Sequence, residues 1–339
     1  MKTLKNICKK RTFSIPFLLL LATPPGSGAS YRPPRMGGKQ SYGVLLVAMG
    51  GNSGWDDALK DAHQAFAEGP PLAIATGYAD QGPLENAVRY LEGQNVGRIV
   101  IVPLGLGFDA APILSMLHFE LGASSAPPPD TTGIFDLSFS GESPSPISVQ
   151  VPVVFAESFD KSKPLVEVLA ARARALASSP VEETLVLVGS REAGASGPAL
   201  PSPFSSPPKA AAPAPPPELD QLAKAVGQKA GFKHSKAFAV SFARDLVVSD
   251  SIGRLRRFVE KSSLESKTAV VPAAMISGSL CAAIGEAIKG LDVAYDGRPI
   301  LPDSRVTDWI KNAAKDAAAA PPISQSPPGV ARFPPPLSP

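Results

Sequence analysis

The chain has 339 residues, a formal net charge of +3 and an apolar content of 44%. That length buries one large core or two modest ones, two fitting ordinary domain size better, and the small charge, with no dense Lys/Arg stripe after the N-terminus, excludes a phosphate-tracking nucleic-acid surface. The 38 prolines, against an ordinary share of about 5%, cluster in 127–146, 198–217 and 321–339 and mark linkers or tails.

The first 30 residues carry Lys2, Lys5, Lys9, Lys10 and Arg11 ahead of the apolar run FSIPFLLLLA, and no acidic residue precedes Asp56. The run is too short to cross about 30 Å of hydrocarbon as a helix, and SGAS at 27–30 supplies small residues for cleavage. The pattern predicts a secretory signal peptide over 1–30, a linker over 31–42, an exported mature protein and no membrane span once the leader is removed. An organelle transit peptide shares the missing acids, but the compact leucine block argues against it. Cys8 lies ahead of the apolar run, so the mature chain keeps Cys281 alone, which excludes an internal disulfide and a Cys-ligated zinc site.

The next segments repeat. GVLLVAMGG (43–51) is similar to TLVLVGSRE (184–192), which sets Met49 opposite Ser190; AIATGYAD (73–80) is similar to AVSFARD (239–245), which sets Asp80 opposite Asp245. RIVIVPLGLGFDAAPILSML (98–117) matches TAVVPAAMISGSLCAAIGEAI (268–288), with Pro103 opposite Pro272. The second copy is longer by about the length of the Pro/Ala/Ser-rich stretch 191–217, an insert expected to form a disordered or polyproline surface loop.

In chain order, each half reads as an apolar strand, a Gly or polar loop, an amphipathic helix, a second strand, a second helix, and a third strand ending in VP. The expected helices are 55–68 and 81–93 in the first half, 218–231 and 250–261 in the second, with another beginning near Ala110. Strands of nearly continuous Val, Ile and Leu alternating with helices predict an α/β protein of two similar domains, each a parallel β-sheet flanked by helices. The expected bounds are 43–150 and 151–318, with a disordered Pro-rich tail over 319–339. Such sheets hold ligands at the carboxyl ends of their strands, where Met49, Asp109, Ser190 and Gly278 fall.

LLVAMGGNSGWDDALKDA, the short strand with YAD, and VGRIVIVPLGLGFDAAPILSML together resemble the sirohydrochlorin cobalt/iron chelatases, the class II tetrapyrrole chelatases. VSFARD, AVVPAAMISGSLCAAI and LDVAYDGRPILPDSRVTDWI resemble the second copy of the tandem members, and the likeness covers 43–122 and 181–315. The resemblance implies two chelatase-like domains, a tetrapyrrole partner, Co²⁺ or Fe²⁺ as substrate metal, no resident cofactor, and metal insertion as the activity. Family members use one histidine after the first strand and another after the VP strand. Here Met49 stands at the first position and Asp109 is the candidate for the second, while the second copy offers Ser190 and Gly278.

Thioether and carboxylate form a mismatched soft and hard pair, and a thioether accepts no proton at ordinary pH. Metal insertion with a degenerate site, an exported protein that holds a tetrapyrrole or metal without catalysis, and an interaction protein with a filled crevice all remain open readings. Met49 is a soft ligand or an apolar filler; Asp109 is a metal or macrocycle partner, or the N-cap of a helix with Pro112 in its first turn. The amides of Gly50, Gly51 and Asn52 are candidates for a ligand carboxylate, with Arg191, Arg244 and Arg254 as added positive charge. Asp80 and Asp245 are candidates for the crevice or for helix caps. The three histidines fall on the helix 55–68 (His63), late on the helix near Ala110 (His118) and in the polar GFKHSK turn (His234).

Overall fold

The computed structural model describes residues 41–48, 54–76, 81–124, 146–192, 214–243 and 246–322. The run GVLLVA forms β1 (Gly43–Ala48), whose six residues are all buried, as a central parallel strand covered on both faces requires. It pairs in parallel with β2 (Leu72–Thr76) on one side and β3 (Ile99–Leu104) on the other, and β4 (Val153–Phe155) adds to β3, giving the order β2-β1-β3-β4. In the second sheet β5 (Thr184–Glu192) lies between β6 (His234–Ala243) and β8 (Thr268–Pro272), all parallel, and the two-residue β7 (Leu246–Val247) pairs antiparallel with the end of β6.

The registers of the two sheets superpose. Gly43 faces Ile99 and Val47 faces Pro103; Thr184 faces Thr268 and Val188 faces Pro272. The prolines fit because of where their missing N–H would point. Ile99 N–H donates to the Pro152 carbonyl at 2.9 Å, so alternate residues of β3 turn toward β4, and β4 has ended opposite Ile101 before Pro103 is reached. In the second sheet Val270 N–H donates to the Ala294 carbonyl at 2.8 Å and Ala294 N–H returns to the Thr268 carbonyl at 2.9 Å. Ala294 thus occupies the place of the fourth strand as an isolated parallel bridge to Ala269, a duplicated feature absent from the sequence expectation.

Alternate strand residues feed different layers. Leu45 and Val47 pack outward against α3 (Gln81–Gly93) and α4 (Gly107–Glu120); Val186 and Val188 pack outward against α7 (Ser249–Glu265) and α8 (Ser279–Ile288). Val44, Leu46, Leu185 and Leu187 point into one shared core between the sheets. That middle layer holds α1 (Trp55–Ala58), α2 (Lys60–Ala65), α5 (Lys163–Leu176), α6 (Pro217–Ala230) and α9 (Ser304–Ala319).

Two helices cross between the halves. Helix α5 leaves the first sheet after β4 and packs on α6 and β8, while α9 leaves the second half and packs on β3, β4 and α2. Arg98 secures the crossing by donating to the carbonyls of Ala318 and Ala320 at 2.8 and 2.9 Å, and Phe159 meets Trp309 edge-on at 5.0 Å. The expected boundary at 150 is therefore corrected: Val153–Phe155 completes the first sheet, and α9 lies on the first sheet although the sequence order places it in the second half. Pairing and packing partners far along the chain decide this, and local pattern does not carry them.

The expected helix 81–93 matches α3, and 218–231 matches α6 within a residue, ending at Gly231 with φ +86 in the left-handed region that glycine tolerates. The expected helix 55–68 is interrupted at Leu59 into α1 and α2, and 250–261 extends to Ser249–Glu265.

Candidate functional site

The carboxyl ends of the strands in both sheets bring the two halves together. A methyl group built on Gly54, just before α1, would stand 3.7 Å from the Ser277 carbonyl oxygen and 3.8 Å from Ile276 Cδ1, so the segment entering α1 touches the loop between β8 and α8. Beside this approach the core is apolar. Trp55, Leu104, Leu106, Phe159, Ala273 and Met275 belong to one buried cluster that joins the halves.

Polar atoms in this region stand without partners. Trp55 is 1% exposed and its indole Nε1 has no hydrogen-bond acceptor; in the turn after β4, Ser158 Oγ, Asp160 Oδ1 and Ser162 Oγ are likewise buried and unpaired. Ser162, 8% exposed, sits at the N-cap of α5 but its hydroxyl makes no capping bond; Pro164 at the second helical position has no N–H to give. The other unpaired buried atoms among the described residues are Arg172 Nε and Nη1, whose Nη2 donates to Asp296 Oδ1 at 2.9 Å and to the Arg298 carbonyl.

Met49, Gly50, Gly51, Asn52, Asp80, Arg244 and Asp245 lie outside the described residues. Ser190 is described and departs from expectation: it lies inside β5 opposite Val240, not at a strand-to-loop edge. The cause is a two-stranded extension, in which β5 and β6 continue pairing to Glu192 and Phe242 after β8 has stopped at Pro272. Asp109 is the third residue of α4 and its side chain lies outside the described set; the expected N-cap role is corrected, because the helix starts at Gly107 with Leu106 at its N-cap. Gly278 is the N-cap of α8 in extended backbone.

The protein has three histidines in all, and all three are placed. His118 stacks on Phe155 with ring centroids 4.1 Å apart, on the outer side of the first sheet, and burial lowers its pKa. His63 lies half-buried on α2, its pKa lowered by burial against the opposing influence of Asp56. His234 is exposed and opens β6 opposite Thr184, at the amino end of the strand, which corrects its expected place in a turn. No imidazole therefore stands at the strand tips. Among the described residues no group of three or more His, Cys, Asp or Glu side chains could hold a metal ion.

The arginines expected to face ligand carboxylates are otherwise engaged where they are described. Arg254 pairs with Asp250 at 3.3 Å, and Arg191 reaches the Ala214 carbonyl at 3.5 Å. Cys281, in the first turn of α8, is a buried free thiol whose pKa burial raises, and Tyr295 donates its hydroxyl to the Cys281 carbonyl at 2.8 Å. No described helix is long and apolar enough to cross a membrane.

No protein-family model matches the chain, and no curated protein matches it. Similar solved structures exist. SirB from Bacillus subtilis with Fe³⁺ is 14% identical, the match covering 83% of this chain and 96% of that one with a TM-score of 0.50. The sirohydrochlorin chelatase SirB from Bacillus subtilis subspecies spizizenii in complex with cobalt is 15% identical over 82% and 96% of the two chains, with a TM-score of 0.48. DR2241 from Deinococcus radiodurans, a multi-domain protein with structural similarity to chelatases, is 16% identical; the match covers 80% of this chain and 54% of that one, with a TM-score of 0.44. The likeness to SirB shows the fold: an α/β chelatase-like arrangement of two parallel sheets flanked by helices.

Proposed function

We propose that this chain binds a tetrapyrrole at the strand tips between its two halves and does not carry out imidazole-assisted metal insertion. The observation that carries the reading is the chemistry of the tips. The core beside the tips is apolar, with Trp55, Leu104, Leu106 and Phe159 in one buried cluster, and all three histidines of the chain lie elsewhere. The likeness of the fold to SirB, a protein solved with Fe³⁺, supports a ligand of the kind chelatases act on.

In the inserting alternative, Met49 and Asp109 would hold Co²⁺ or Fe²⁺ as substrate and something else would take the pyrrole protons. A thioether cannot do so, and a carboxylate alone is a weak base for the task. The leader that the sequence predicts over 1–30 would agree with an exported carrier or scavenger in preference to a biosynthetic enzyme working beside its precursors.

Titrating sirohydrochlorin with the purified protein and following macrocycle fluorescence tests this reading. A saturable change at a stoichiometry of about one per chain is expected; no saturable change would mean the crevice is filled and the chain is an interaction protein.

A further inference from the structure

Residues 294–301 run alongside β8 and the loop that follows it. Ala294 accepts from Val270 N–H at 2.8 Å and donates to the Thr268 carbonyl at 2.9 Å; further on, Ile300 N–H donates to the Ala274 carbonyl at 2.7 Å and Leu301 N–H to the Met275 carbonyl at 2.9 Å. Between these anchors the Tyr295 hydroxyl donates to the Cys281 carbonyl at 2.8 Å, which ties the same segment to the first turn of α8. The loop so held carries Ser277, whose carbonyl oxygen lies against Gly54 in the segment entering α1.

One side chain on the helix that crosses from the first half grips this segment at its middle. Arg172 on α5 donates from Nη2 to Asp296 Oδ1 at 2.9 Å and to the Arg298 carbonyl, and Asp296 Oδ1 also accepts from Arg298 N–H at 3.0 Å, so the guanidinium closes the turn 296–298. Side-chain exposures of 12% and 22% mean that solvent screens the pair less than a surface pair. Yet the grip uses one nitrogen of three. Nε and Nη1 are buried without partners, a shortfall that native folds seldom carry and that leaves the contact weaker than a bidentate pair.

We infer that 294–301 is a strap holding the loop after β8 in place, and that Arg172 is its latch, a positioning residue through which α5 sets the strand-tip loop of the second half. Closed, the strap supplies donors to the Ala274 and Met275 carbonyls; open, it frees the loop that touches the segment entering α1, while β8 keeps its pairing with β5. A segment held by few bonds beside a fully paired sheet opens more readily than the sheet itself. The inference does not depend on the tetrapyrrole reading.

Amide hydrogen exchange of the full chain tests it, comparing wild type with Arg172→Met, Asp296→Ala and the control Lys229→Met, which removes a different ion pair of α5, that of Glu167 with α6 at 3.3 Å. Arg172→Met and Asp296→Ala are each expected to speed exchange at Ile300 and Leu301 about tenfold, the effect of one lost charge-assisted hydrogen bond. Ala273, whose N–H donates to the Val188 carbonyl at 2.8 Å, is expected to keep its wild-type rate. The double variant should fall short of the product of the single effects, because both remove the same contact. Lys229→Met should leave Ile300 and Leu301 unchanged. Wild-type rates at Ile300 and Leu301 in both latch variants, equal acceleration of Ala273, or the same acceleration in Lys229→Met overturns the inference. If Arg172→Met does not fold, Asp296→Ala, in an exposed turn, decides the question alone.

Discussion

At Gly227 the helix α6 approaches β6 so closely that an added Cβ would stand 2.7 Å from Ser235 Cβ. Overpacking of this kind costs about 1–3 kcal/mol, against a gain of about 0.5–1 kcal/mol from replacing a helical glycine by alanine. Gly227→Ala is therefore expected to lower stability by about 1–2 kcal/mol in urea unfolding. Ser235→Gly in the same chain should recover part of the loss and Ser235→Ala should not, since alanine keeps the obstructing carbon. His118 supplies a pH-dependent counterpart. Burial holds its folded pKa below the ordinary value near 6.5, so the stability of its neutral form is present above pH 6.5 and is lost as pH falls through the folded pKa. His118→Phe keeps a ring against Phe155 and removes the titration; thermal midpoints measured between pH 7 and pH 5 should fall less steeply in the variant than in wild type. His63, shifted in the same direction, retains its own share of that slope. At this scale the sequence identified the absence of imidazole at the tips, which is a matter of residue type. It did not reveal that Trp55 and Ser162 carry unpaired polar atoms, because pairing depends on neighbours remote in the chain.

The exchanged helices α5 and α9 set the energetics at the level of elements. Arg98 binds two carbonyls at the end of α9, so Arg98→Met is expected to cost about 1.5–3 kcal/mol, the range for hydrogen bonds to a charged group. The change should also speed amide exchange over Ser304–Ala319 more than over α5. Uniform acceleration across both helices would contradict a local clamp. Pattern in the sequence was enough to place β1, β3, β5 and β8 in matching register, because the Val47–Pro103 and Val188–Pro272 spacings agree once the insert 191–217 is set aside. It was not enough for the fourth strands: Val153–Phe155 is three residues long and Ala294 is a single bridge, both too short to show a period. The helix start ahead of Asp109 and the strand around Ser190 escaped local pattern for related reasons. A helix beginning at Gly107 lacks a polar cap to announce it, and the β5–β6 extension is held by pairing between strands and not by composition.

As a whole, the molecule consists of two similar four-stranded sheets, interlocked by the helices α5 and α9 that cross between them around one shared apolar core. The proposed binding without insertion rests on the placement of all three histidines away from the strand tips, and its most direct measurement is the rate of metal entry into sirohydrochlorin. With the purified protein, anaerobic Co²⁺ or Fe²⁺ and the macrocycle's absorption as the readout, insertion should proceed no faster than in the metal-only control while the macrocycle is bound. A rate that rises in proportion to protein concentration would contradict the account.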